Sequence, residues 1–174
     1  MKNKLLALML FVAATTMRSL GATTTCGLPN AVRYALSQQS HQDGLSPIDI
    51  LDRSDPCTTA GTAQAASTFN AEYANRDFLK ISESQKSDTA HFSKCALSAK
   101  SADRRVQFAT AALQAGENVL YSAVKMFGVS PLTAARARHL QVVAKWILAN
   151  PCANHELKST ARQELRELRE IVGP

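Results

Sequence analysis

Four cysteines spread behind an export leader constrain this chain more than any other feature: Cys26, Cys57, Cys95 and Cys152. Residues 1–22 read as a secretory signal peptide, with Lys2 and Lys4 at a positive start, an apolar core from Leu5 to Ala14, and Ser19-Leu20-Gly21 before the cut. The apolar run is too short for a membrane span, which needs about 20 residues, and Thr15, Thr16 and Arg18 break it. The mature part, 23–174, is therefore expected in a periplasmic or extracellular compartment, where an even cysteine count reads as a disulfide set. The spacings are too wide for a CxxC redox or zinc motif. Four cysteines allow three connectivities. Pairing Cys26 with Cys57 and Cys95 with Cys152 is the expectation, since each bridge would tie one segment end to a later one. Thr23-Thr24-Thr25 before Cys26 is not the small or apolar pair that lipid attachment requires. The chain has no Asn-x-Ser/Thr sequon, which favours a bacterial periplasm over a eukaryotic secretory route.

The mature length suits one domain able to bury its own core, so the bridges add to a core and do not replace one. The formal charge of +6 includes Lys2, Lys4 and Arg18 of the leader. Without them 17 basic residues face 14 acidic ones, a net +3. Residues 22–93 hold 5 basic and 8 acidic residues, and 94–174 hold 12 basic and 6 acidic. The basic half could steer an acidic partner, although solvated helix faces give the same pattern. No basic stripe interleaves with aromatics, so nucleic acid is not expected as a partner.

Periodicity points to an all-α fold, a single bundle of four or five main helices. A short helical pattern runs from Asn30 through Val32, Ala35 and Leu36 to the breaker Asp43-Gly44, and another turn spans Ile48 to Leu51. A helix is expected from Ala63 to Leu79. The polar stretch Ser82 to Thr89 reads as a loop and a possible contact surface, and Ala90 to Ala99 as a short helix. From Ser101 a long amphipathic helix places Val106, Ala109, Leu113, Leu120, Val124 and Phe127 on one side and stops at Gly128. Gly116 within it marks close packing or a bend. Ser130 and Pro131 open the next helix, with an apolar face of Leu132, Ala135, His139, Val142 or Val143, and Trp146, ended by Asn150-Pro151. Asn154 caps a last helix whose seam is Leu157, Ala161, Leu165, Leu168 and Val172, with Glu164, Arg166 and Arg169 outward.

Reaction chemistry is not visible. The chain has no glycine-rich phosphate loop, HExxH, GxSxG or CxxCH. No carboxylate pair stands out in the sequence; only folding could assemble one. His91 and Cys95 have the i, i+4 spacing of metal ligands, but no second pair lies nearby and Cys95 is better used in a bridge. His139 reads as a core histidine and Trp146 as core packing, with a partner-binding anchor as the alternative for the tryptophan. No cofactor, metal or enzymatic activity is expected.

The stretch from Leu140 to Glu156 resembles the C-terminal signature of periplasmic immunity proteins that protect bacteria against peptidoglycan amidases delivered by type VI secretion. Val142, Val143, Lys145, Trp146, Pro151, His155 and Glu156 follow that pattern in order. The match covers about a tenth of the chain, and the family's cysteine- and glycine-bearing helix has no counterpart in Phe108 to Phe127. The resemblance implies an inhibitor whose rigid bundle presents a loop or helix end to the toxin's active-site groove. The alternative is a periplasmic accessory or adaptor of a secretion or conjugation apparatus. Either way the implied partner is a protein.

Overall fold

The computed structural model describes residues 26–41, Cys57, Asn75 and 78–172. The leader, the turn expected at Ile48 to Leu51, and all but the end of the helix expected from Ala63 lie outside the described residues. Those residues form five helices and no strand: α1 (Asn30–His41), α2 (Phe78–Ser98), α3 (Ala102–Phe127), α4 (Pro131–Ala149) and α5 (His155–Val172).

Most boundaries follow from the end chemistry. Ser101 caps α3 by accepting the Arg104 N–H, Asp103 sits in its first turn, and Gly128 at φ 76° ends it by donating its own N–H to the Val124 carbonyl. Ser130 and Thr133 form a reciprocal capping box with Pro131 at the first helical position of α4. The Asn154 side chain accepts the Leu157 N–H at 2.9 Å and opens α5.

α2 and α3 form the most extensive helix pair, and α4 and α5 pack against α3, with α1 across α2 and α4. α3 is therefore central, and Val106, Ala109, Ala112, Leu113 and Leu120 are buried along it. Gly116 lets α4 come close. A Cβ at that position would stand 2.7 Å from Leu140 Cδ2, so close packing and not a bend explains the glycine.

Four expectations are overturned. Ser82 to Thr89 is not a loop but part of α2, and Ser84, Gln85, Ser87, Asp88 and Thr89 are buried. Gln85, Asp88 and Thr89 of the polar face are satisfied in burial, whereas the Ser87 hydroxyl has no hydrogen-bond partner. Gln85 donates to Asp88 at 3.0 Å and accepts from Asn118 of α3 at 3.2 Å, while the Thr89 hydroxyl donates to the Gln85 carbonyl. On α4 the buried stripe is Thr133, Ala137, Leu140, Val143, Ala144 and Ile147. That stripe lies about one residue round from the expected face. Phe127 is not buried at the end of α3 but 80% exposed, since the helix has by then outrun its neighbours. Glu164 does not face outward: it is only 7% exposed, between Ala161, Leu165 and Leu168 on the face that packs inward.

The expected cysteine pairing is also corrected. Cys26 bonds to Cys152 and Cys57 to Cys95, with Cα atoms 5.9 and 5.6 Å apart. The segment before α1 lies against the end of α4, where the Trp146 indole donates to the Gly27 carbonyl at 3.2 Å. Arg105 of α3 donates to the Cys26 carbonyl at 3.3 Å and to the Ala99 carbonyl at 2.9 Å. These bonds deliver Cys26 to the α4–α5 turn that carries Cys152 and leave Cys95, on α2, to Cys57.

Candidate functional site

The up-and-down order of α2 to α5 gives the bundle two unlike ends. One carries the Cys26–Cys152 bridge, the α2–α3 connection and the α4–α5 turn. The other carries the turn between α3 and α4.

Most of the motif residues gather at or near the bridged end. Val143 is buried, Val142 and Trp146 are half-buried against the core, and Lys145, Pro151, His155 and Glu156 are exposed. A cleft of ≈ 230 Å³ lies there between Gly27 to Pro29 on one side and Trp146, Asn150 and Pro151 on the other. Val143 and Trp146 act as fold determinants, the tryptophan by holding the N-terminal segment. His139 is half-buried, not a core residue, and meets the Tyr34 ring edge-on with centroids 5.7 Å apart. His91 has no metal partner in Cys95, whose sulfur is in the disulfide.

At the opposite end, the α3–α4 turn concentrates exposed apolar surface. Phe127 is 80%, Val129 60% and Leu132 63% exposed, three large side chains within six residues. The Gly128 cap, the Ser130–Thr133 box and Pro131 fix the backbone that carries them. Single exposed apolar residues are ordinary, whereas three close together on a fixed turn make a candidate interaction surface. On the turn's own flanks the sequence between Asn118 and His139 has no Asp or Glu, while it has Lys125, Arg136 and Arg138.

In the middle of the bundle, folding assembles a carboxylate cluster that the sequence reading missed. Glu117 of α3 meets Glu164 and Glu167 of α5, and one oxygen from each lies within 4.8 Å of the others. Glu117 is 6% exposed. Burial, then the Glu164 and Glu167 charges, push its carboxyl up to about 8. Burial, then Glu167, push Glu164 up to about 7, against a hydrogen bond from the Gln114 side chain that favours the ionised form. The signal was present in the sequence: Glu117 fills the gap between Leu113 and Leu120 on the apolar side of α3, and Glu164 stands three residues from Ala161 on the seam of α5. Such a cluster can retain protons near neutral pH or hold a hard cation.

Comparison with protein-family models, with curated proteins and with solved structures finds no match to this chain.

Proposed function

We propose that the mature domain is an exported binding protein, not an enzyme, and that it docks on another protein through the α3–α4 turn. The carrying observation is the rigid apolar group Phe127, Val129 and Leu132 at the end away from the Cys26–Cys152 bridge. Burying each such side chain in a partner is worth roughly 1.5–3 kcal/mol, and the fixed turn limits the entropy lost on docking. Lys125 and Arg138, on the flanks of the turn, favour a partner whose apolar pocket has an acidic rim. Two disulfides support a compartment outside the reducing cytosol. Among the described residues no helix is long and apolar enough to cross a membrane.

The resemblance at Leu140 to Glu156 supports a more specific reading: an immunity protein that inhibits a peptidoglycan-degrading amidase by inserting this turn into its groove. In that reading the motif residues maintain the scaffold and the turn makes the contact.

The test is titration of the mature protein into a purified peptidoglycan amidase of the type VI secreted class, with peptidoglycan hydrolysis followed in parallel. The expected result is a one-to-one complex and loss of hydrolysis. Phe127→Asp and Leu132→Asp each weaken binding by roughly 100-fold, as expected for interface hot spots, with melting temperature unchanged because both side chains are exposed in the free protein. Hydrolysis undiminished by excess protein contradicts the inhibitor reading. Inhibition that both variants retain contradicts the assignment of the turn.

A further inference from the structure

The charges of α5 are sorted onto two flanks. Glu164 and Glu167 turn toward α3, where they meet Glu117. By the 3.6-residue repeat Glu156 and Glu170 follow on the same flank, Lys158, Arg162 and Arg169 fall on the other, and Arg166 stands between. Since α5 packs on both α3 and α4, the flank away from α3 is the one beside α4. α4 itself contains no Asp or Glu, and Arg138 and Lys145, two turns apart, are exposed on its outer face. His139 and Trp146 mark the side of α4 that meets α1, through Tyr34 and Gly27, so Arg138 and Lys145 lean toward α5. The two helices run antiparallel across a short turn, which brings Lys145 level with Lys158 and Arg162 and sets Arg138 toward Arg169. Among the described residues no carboxylate pairs with any of these five cations. The large exposed hydrophobic side chains, Tyr34, Leu79, Phe127, Val129 and Leu132, lie on α1, on α2 and around the α3–α4 turn, so this face has no apolar anchor.

We propose that the α4–α5 face, through Lys145, Lys158, Arg162 and Arg169, binds the surface of an anionic lipid bilayer. Charge complementarity selects the occupant. The row from Lys158 to Arg169 extends about 16 Å along α5, too far for one small anion but matched to an array of phosphate headgroups. A protein partner normally fills the centre of its interface with a buried aromatic or apolar anchor, which this face lacks. A charged bilayer requires none, because each Lys or Arg held near it contributes through charge. The guanidinium groups of Arg162 and Arg169 also suit phosphate, to which they present paired N–H donors. Binding in this way lays the bundle on its side, with the α3–α4 turn at one end and still open to a protein, so it is independent of the function proposed above.

The experiment is sedimentation of the mature protein with vesicles of phosphatidylglycerol and phosphatidylcholine in equal parts, and with vesicles of phosphatidylcholine alone, at about 0.1 M salt. The expected result is binding to the first and not to the second, with release at about 1 M salt, where charges are screened within about 3 Å. Arg162→Gln combined with Arg169→Gln weakens binding about 30-fold, with melting temperature unchanged because both side chains are exposed. Lys86→Gln combined with Lys94→Gln removes the same charge from α2, which packs on α1 and α3 instead, and leaves binding near that of the parent. Phe127→Asp leaves it intact as well, which separates this contact from the docking turn. Protein that stays in solution with the phosphatidylglycerol vesicles overturns the proposal and leaves the face to an acidic protein. An equal loss in both double variants overturns it too, since net charge would then account for the binding, and so does loss in Phe127→Asp.

Discussion

Holding Glu117 beside Glu164 costs free energy that depends on how many protons the pair carries. Both carboxyls titrate higher in the folded chain than the 4.5 of the free side chain, at about 8 and about 7. The folded state therefore binds more protons than the unfolded one between these values. Their contribution to stability is fully present below about 4.5 and is lost as pH rises through 7 to 8. The melting temperature should fall steadily from pH 5 to pH 8. Glu117→Gln should remove most of that slope and be more stable than the parent at pH 8 by on the order of a few kcal/mol. Melts at stepped pH check this, and a profile equally flat in parent and variant contradicts it. The cluster escaped the sequence reading because a charged residue was assigned outward by its type. Position carried the better information: residues 161, 164, 165 and 168 share one face whatever occupies them.

Helix ends were the most legible elements, since caps are local chemistry. Ser101, Gly128, Ser130 with Pro131, and Asn154 all act where their types suggest. The capping box carries a direct prediction: Ser130→Ala should cost about 1 kcal/mol, measured by urea unfolding, and should weaken docking by loosening the turn below Leu132. Gly116→Val should cost about 2 kcal/mol or more by overpacking, because its first added carbon meets Leu140, which is 1% exposed. Unchanged stability would mean that α3 and α4 are not so closely apposed. The polar stretch of α2 was illegible for the opposite reason. Gln85 finds Asp88 within its own helix but Asn118 only 33 residues along. Burial of such a face depends on partners that no local window contains. The faces of α4 and the exposed end of α3 likewise depend on which neighbours stop where.

At the scale of the whole molecule, the bridges set the architecture. An all-helical bundle with two disulfides followed from periodicity and cysteine count, but the pairing did not, because it depends on the N-terminal segment crossing to the end of α4. Cys26–Cys152 closes 126 residues and Cys57–Cys95 closes 38. In the chain-entropy model these constrain the unfolded state by roughly 5 and 4 kcal/mol. Replacing Cys26 and Cys152 together by Ser should therefore destabilise at least as much as replacing Cys57 and Cys95, as denaturant midpoints would show. The bridged end keeps the bundle rigid, and the far end presents the turn. The most direct test of that division is amide hydrogen exchange on the complex with the proposed amidase partner. The account predicts slowed exchange from Val124 to Thr133 and little change around Gly27, Trp146 and Pro151. Protection confined to the bridged end, with the α3–α4 turn exchanging as in the free protein, would contradict it.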